Sequence, residues 1–360
     1  MRVLGIILLF LSAGFALSGQ NDFRVIGSVH RITTAISADF YIHSIEDQRV
    51  FRANLGIVNR GARKDLKRPL ILESGFFDAL LEQMNGWLSA EPGAEPVVAK
   101  LRELYIWEKE GVNAALGFIR LEMAISGKEP GQEKVISVEL SGKDLTVAGG
   151  HAPRLEAAFF QCLQQYNEQR NSKASGPVAA PSVEETRPPK PGLMAAANFL
   201  NLRQGKSNSV PGTLRRKGGP YRYELSRSSA SNGFPYYALI KEDKLFIWAG
   251  NYPGAGFYYT RVLEQGRYLF MIDDIYIRQD SELKEQFGQF FGKVGIVIDM
   301  DTGLPQIVND ELMAQLMGPY PELREKYLFK DILKFPFQLT RVQNVVAEIN
   351  RREGGKKSSG

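Results

Sequence analysis

The sequence predicts an α+β fold of two lobes, each a mostly antiparallel or mixed sheet with helices packed on it, joined by a Pro/Ser-rich linker. Three observations predict it. Apolar residues at every second position mark half-buried strands, as at Phe40 and Ile42. Apolar residues three and four apart mark helices that lie on such sheets, as at Leu155, Ala158, Phe159, Cys162, Leu163 and Tyr166. Between two blocks of this kind, Asn171 to Gly219 is rich in Ser, Pro, Ala and Gly and contains Arg187-Pro188-Pro189-Lys190-Pro191. Prolines so dense remove backbone donors and favour extended chain, so residues 171–219 read as the linker. A chain of 360 residues, 44% apolar and 24% charged, is long and apolar enough for two cores.

The elements follow in order. Met1-Arg2 carries positive charge, Val3 to Leu11 is apolar, and Ala16 and Ser18 are the small residues a signal peptidase needs. Residues 1–18 therefore read as a signal peptide cut before Gly19, too short in its apolar part to span a bilayer well. No later segment reaches the ~20 apolar residues of a transmembrane helix, so the mature chain is expected to carry none. The first lobe spans residues 21–170. Strands are expected around Phe40–Ile42, Phe51–Ile57, Leu101–Trp107, Ala114–Ile125 and Val135–Val147. A helix capped by Ser74 shows Phe76, Phe77, Leu80, Leu81 and Met84 on one face, and a longer helix starts near Pro153.

The second lobe spans residues 221–353, with a disordered tail over 354–360. It opens with aromatic strands at Tyr236–Ile240, Leu245–Ala249, Gly256–Thr260 and Tyr268–Ile272, the first two joined by a turn at Glu242-Asp243. Ser281 to Phe291 reads as a helix. Val294 to Ile298 is continuously apolar, the mark of a strand covered on both faces. Short helices at Glu311–Met317 and Pro321–Tyr327 precede a last one from Pro336, stopped at Gly354-Gly355.

Charge and cysteine usage narrow the function classes. The formal net charge is +5, from 45 basic and 40 acidic residues, and the basic clusters at Arg215-Arg216-Lys217 and Arg351-Arg352 are short. No basic stripe with interleaved aromatics runs through the chain, so no nucleic-acid partner is expected. The lone Cys162 allows no intramolecular disulfide, which fits a bacterial envelope better than an animal secretory route. Its place on an apolar helical face makes it a small buried hydrophobe rather than a nucleophile. His30, His43 and His151 lack the further ligands that a zinc site requires.

Several motifs carry the residue types of known chemistry. The apolar strand ending in Asp299-Met300-Asp301 resembles the first motif of the haloacid-dehalogenase phosphatases, where the first carboxylate attacks phosphorus and the second works as acid and base. Here Thr302 precedes Gly303, the reverse of that family's order, and too little chain follows for its body. Asp301-Thr302-Gly303 is also the tripeptide of aspartic proteases, but one copy cannot make a shared-proton pair. An EF-hand would need Gly at Leu304 and Glu at Asp310. The ordinary reading is a strand, an Asp-Thr-Gly turn and a return strand at Pro305–Val308. Leu269–Ile272 also ends in acids, Asp273 and Asp274. Were the two strands parallel neighbours, Asp273, Asp274, Asp299 and Asp301 would gather at one edge as an oxygen site for Mg²⁺ or Ca²⁺. Gly254-Ala255-Gly256 lacks the third glycine of a dinucleotide fingerprint and reads as a turn into an aromatic strand.

The aromatic clustering of the second lobe is the stronger lead. Phe234, Tyr236, Tyr237, Phe246, Trp248, Tyr252, Phe257, Tyr258 and Tyr259 cannot all face one core from alternating strand positions. Tyr236, Trp248, Tyr252 and Tyr258 are the candidate binding residues for a sugar, peptide or protein ligand; the other reading is a two-sided sheet packed against helices and against the other lobe, since aromatics favour strands for packing alone.

Ile296-Val297-Ile298-Asp299 with Thr302-Gly303, Ile307-Val308-Asn309 at a helix start, Tyr320-Pro321-Glu322-Leu323, and Ile349-Asn350 in the last helix resemble uncharacterised exported proteins of Bacteroidota-type Gram-negative bacteria. The resemblance covers about the last sixty residues and implies location rather than activity. By order of elements the first lobe is similar to periplasmic auxiliary subunits of transport systems, an analogy at the level of fold. Together these readings predict an exported cell-envelope protein, periplasmic or at the cell surface. It is expected to work by binding or assembly with another envelope protein and without a cofactor. The rival expectation is a metal-dependent hydrolase built on the four aspartates.

Overall fold

The computed structural model describes residues 24–26, 32–60, 66–110, 115–127, 133–143, 151–172, 192–226, 235–281, 283–327, 332, 334 and 338–357. The expected signal peptide, His30 and Phe234 lie outside the described residues. The fold is α+β, with mainly antiparallel sheets in two groups, N-terminal and C-terminal.

The first lobe contains β1 (Arg24–Ile26), β2 (Ile36–Asp47), β3 (Ile57–Arg60), β4 (Leu66–Leu72), α1 (Phe76–Trp87), β5 (Leu88–Glu110), β6 (Ala115–Ser126), β7 (Lys134–Gly142) and α2 (His151–Asn171). Its main sheet has the order β2-β5-β6-β7. β2 and β5 run parallel because α1 carries the chain back between them, while β5, β6 and β7 are antiparallel neighbours. Both helices cover one face: Phe76, Leu80, Met84 and Trp87 from α1 and Leu155, Phe159, Cys162 and Leu163 from α2 pack on Phe40, Ile42, Leu101, Ile119 and Leu121. β2 alternates buried and exposed residues along Ile36–Ile42, as its sequence period requires. Gly75, with φ +81, precedes α1 where Ser74 was expected to cap it.

Residues 51–56, expected as strand, are instead an irregular segment. Its hydrogen bonds go both ways, Leu55 to Leu70 O at 2.7 Å and Ile106 N–H to Leu55 O at 2.6 Å. Gly56 makes the approach possible: its φ is +135, and a Cβ there would sit 1.7 Å from Ile106 O.

The second lobe begins earlier than its composition indicated. Within the stretch expected as linker lie β8 (Met194–Ala196), α3 (Phe199–Arg203), β9 (Asn208–Ser209) and β10 (Thr213–Arg216). They follow with β11 (Arg222–Ser226), β12 (Ala238–Lys241), β13 (Lys244–Trp248) and β14 (Tyr259–Arg261) to make an antiparallel sheet ordered β10-β11-β14-β13-β12-β8-β9. Composition misled because Leu193, Ala195, Ala196, Phe199 and Leu200 are buried by partners distant in sequence. β12 and β13 form a hairpin whose two turn residues, Glu242 and Asp243, take positive φ, as the tight turn demands.

A second antiparallel sheet, β15 (Tyr268–Ile277), β16 (Phe290–Asp299) and β17 (Pro305–Ile307), lies between this sheet and the C-terminal helices α5 (Asp310–Leu316), α6 (Pro321–Lys326) and α7 (Leu339–Lys357). Met271, Val294, Ile296 and Ile298 face one core, and Phe270, Ile272 and Val297 face the other under Val342, Val345 and Val346. Burial on both faces explains the unbroken apolar run. The helix expected over 281–291 shrinks to α4 (Lys284–Phe287), because Gly288 turns the chain at φ +71 and Phe290 joins β16. The last helix passes Gly354 and runs to Lys357, four residues into the expected disordered tail. Glycine costs only about 1 kcal/mol within an established helix.

The lobes share a core: Phe51, Tyr105 and Trp107 pack with Phe199, Leu245 and Ile247. Asn54 Nδ2 donates to Thr302 O at 2.6 Å, and Lys67 Nζ to Gly250 O at 2.7 Å, across the same seam. Among the described residues no helix is long and apolar enough to cross a membrane.

Candidate functional site

The candidate site grows from the start of β14 and the ends of β15 and β16. The segment Tyr252–Phe257 leaves β13, crosses the outer edge of β15 and returns to β14. It is pinned there: Tyr276 N–H donates to Gly254 O at 2.8 Å, and Gly254, at φ +71, lies against Ile275 and Tyr276. Between this segment, β15 and the chain at Arg278–Ser281 opens a groove of about 750 Å³. Its rim carries three aromatic rings that the core does not cover: Phe257 is 53% exposed, Tyr276 49% and Phe291 78%. Tyr276 and Phe291 face each other across the β15–β16 ladder with ring centres 6.2 Å apart, edge to face. Phe257 meets Trp248, 6.0 Å away. Gly250 lets the Trp248 indole lie flat against the backbone, since a Cβ would stand 2.3 Å from its Nε1.

Beneath the groove lies a closed polar network around Asp273, which is 3% exposed. Its Oδ1 accepts from Arg222 Nε at 2.7 Å and from the backbone N–H of Asp274 at 2.9 Å. Its Oδ2 accepts from the hydroxyls of Tyr252 at 2.8 Å and Tyr258 at 2.6 Å, and Tyr252 also meets Thr260 Oγ1 at 2.6 Å. Arg222 donates to Asp274 O and lies 4.5 Å over the Tyr258 ring. Burial, and after it the charge of Asp273, pushes the phenols of Tyr252 and Tyr258 well above the ordinary tyrosine range. Burial acts against the Arg222 charge, but the hydrogen bond and charge of Asp273 outweigh it and hold that group above its ordinary value.

The four expected binding residues therefore divide. Trp248 stands in the groove wall. Tyr252 and Tyr258 also line it, but their hydroxyls are committed inward to Asp273. Tyr236 lines a separate cavity of about 50 Å³ at the seam between lobes, where its N–H donates to the Tyr259 hydroxyl at 3.0 Å. Trp248 borders both spaces.

The expected aspartate cluster does not form. β15 and β16 are antiparallel, so Asp273 pairs with Val294 while Asp299 pairs with Tyr268. Five residues of strand separate the two levels, roughly 17 Å. Asp274 has moved with Asp273, its carboxylate 3.7 Å from Arg222. Asp299 and Asp301 hold Arg267 instead, at 3.1 and 2.5 Å. Asp301 N–H caps Asp299 Oδ1 at 2.8 Å, and Gly303 turns at φ +75 into β17. This is the strand, turn and return strand that turn chemistry predicts. Among the described residues no group of three or more His, Cys, Asp or Glu is placed to hold a metal. His43 is exposed on β2, whereas His151 Nε2 bonds Glu108 at 2.8 Å and Nδ1 bonds Arg154 at 3.1 Å. Cys162 is buried, and burial pushes its thiol up to about 12.

Sequence reasoning passed over Tyr276 and Phe291. A signal for them existed: Tyr276 lies between Ile275 and Ile277, so alternation puts it on the opposite face. Arg222 had none, because its partner is 51 residues away.

No curated protein matches this chain. A solved structure described as an uncharacterized protein covers 41% of this chain and 99% of its own at 9% identity, with a TM-score of 0.24. Residues 194–332 match a family of unknown function (DUF6563), so the region from β8 past α6 resembles that family.

Proposed function

We propose that the chain is an exported cell-envelope protein, periplasmic or at the cell surface, that binds rather than transforms its ligand. Its partner is another envelope protein. One observation carries the reading: three exposed aromatic rings, Phe257, Tyr276 and Phe291, stand around one groove. Exposed apolar patches cost solubility, and where rings cluster at a concavity they serve binding. The Asp273 network supports it as a rigid floor. With its carboxylate fully occupied by Arg222, Tyr252, Tyr258 and Asp274, the groove keeps its shape when empty. For export, the support is the N-terminal pattern of Arg2, the apolar run Val3 to Leu11 and the small residues Ala16 and Ser18.

A photo-crosslinking residue in place of Phe257, compared with one in place of the exposed Val50, tests the binding site in envelope preparations. An adduct specific to the Phe257 position supports the reading. Identical adduct patterns at both positions would sink it. Fusion of residues 1–30 to alkaline phosphatase tests export, and an inactive, cytoplasmic fusion would refute that part.

A further inference from the structure

We infer that the cavity at the seam between the lobes is a second binding site, for a small carboxylate that accepts from the hydroxyls of Tyr105 and Tyr237. It is distinct from the groove and does not depend on the binding reading above.

The two phenols come from different lobes. Tyr105 lies on β5 and is 2% exposed, and Tyr237, partly buried, immediately precedes β12. Both line the cavity of about 50 Å³. They are near enough that a charge on Tyr237 would push the Tyr105 phenol up. Neither hydroxyl has a hydrogen-bond partner among the described residues. Trp107, stacked 6.0 Å from Tyr105 in the same wall, likewise has an indole N–H without an acceptor among those residues. Buried polar groups of native proteins nearly all find partners, so a cluster without them marks the place of a molecule from outside.

The chemistry of that molecule follows from what the wall lacks. This fold already holds one carboxylate between two buried phenols and a basic side chain: Asp273 accepts from Tyr252, Tyr258 and Arg222. At the seam, Tyr105 and Tyr237 stand with Lys67 and Lys109. The acid of that wall, Glu108, is turned elsewhere, to His151 Nε2 at 2.8 Å and to the N–H of Asn59 at 2.9 Å. The cavity thus repeats the Asp273 arrangement without its carboxylate. One water takes about 10–15 Å³ of such space, so there is room for a group of about four heavy atoms, the size of acetate. Aromatic walls also cage quaternary ammonium ions, but the two lysines oppose a cation here.

The probe is sodium acetate added to the full chain, against sodium chloride at equal ionic strength, with binding read by saturation-transfer NMR. Four heavy atoms limit the dissociation constant to about tens of micromolar at best, so the titration runs into the millimolar range. Acetate should bind saturably. Tyr105→Phe and Tyr237→Phe should each weaken it about tenfold, and Tyr41→Phe, on the outer face of β2, should not. Without acetate, neither cavity variant should unfold at lower urea than the unmodified chain, because each removes a hydroxyl that bonds to nothing. Earlier unfolding would show that these hydroxyls already have partners and would overturn the site. So would an acetate response that never saturates, as expected if water alone fills the cavity. Acetamide binding as well as acetate, or tetramethylammonium binding in its place, overturns the carboxylate assignment. An aspartyl peptide with blocked ends is compared with acetate. Tighter binding of acetate supports a free small acid as the ligand, and tighter binding of the peptide supports an acidic side chain of a partner.

Discussion

Arg222 Nε donates to Asp273 Oδ1 over 2.7 Å, joining β11 to β15 through a carboxylate that water barely reaches. An amide in its place carries no charge and keeps one acceptor oxygen, so Arg222 loses its ion pair and either it or the two buried tyrosine hydroxyls face an NH₂ group where an acceptor stood. Asp273→Asn should therefore cost about 3 kcal/mol of stability, the range for breaking a buried pair. Asp301→Ala, whose side chain is 42% exposed, should cost under about 1 kcal/mol. Urea unfolding midpoints compare the two. Equal costs would contradict the unequal burial of these acids. Neither Mg²⁺ nor Ca²⁺ should raise the midpoint, since the two acid pairs sit at opposite ends of the ladder.

Phe291→Ser and Phe257→Ser should leave stability within about 0.5 kcal/mol, because neither ring is held in a core. Both should abolish groove-specific crosslinking from Tyr276. Loss of stability in either variant, seen by thermal melting, would show that the rings serve folding instead.

Tyr105, Tyr237, Tyr252 and Tyr258 all hold their phenols above the ordinary value of 10.0, burial being the main cause. The unfolded chain ionises them near that value while the fold keeps them neutral. Stability is thus complete below pH 10 and falls as pH rises through it toward the folded-state values, by up to about 1.4 kcal/mol per pH unit for each tyrosine. Denaturant titrations from neutral to alkaline pH measure the fall. Tyr252→Phe with Tyr258→Phe should make it shallower.

Asn54 sits at the seam, its Nδ2 on Thr302 O at 2.6 Å and its Oδ1 accepting Gly56 N–H at 2.8 Å. Asn54→Ala strands the buried Gly56 N–H and the half-buried Thr302 carbonyl and should cost about 2 kcal/mol. Because the lobes share a core, fluorescence of Trp87 in the first lobe and Trp248 in the second should report one unfolding transition. Two separate transitions in the unmodified chain would contradict the shared core.

Cys162 should be inert to thiol reagents in the native protein at pH 8, being buried with its thiol pushed up to about 12. Labelling should follow unfolding as denaturant is added. Fast labelling without denaturant would show that α2 opens.

Local pattern was enough to identify most elements. The alternation at Phe40 and Ile42, the apolar run Val294–Ile298, the Glu242-Asp243 turn and the apolar face around Cys162 each reflect a period that one strand or helix imposes by itself. Of the site, sequence marked Trp248 and the aromatic crowd around it. It could not tell which rings would be covered, because alternation says which residues share a face and nothing of what packs there. Tyr252 and Tyr258 turned inward because Asp273 and Arg222, brought together from distant strands, offered their hydroxyls a partner. Phe291 and Tyr276 stayed outside because the helices over that face end short of them. The relative direction of β15 and β16 was likewise a tertiary matter. Either direction satisfies two apolar strands, yet the antiparallel one sends Asp273 and Asp299 to opposite ends and leaves an aromatic groove in place of a metal site.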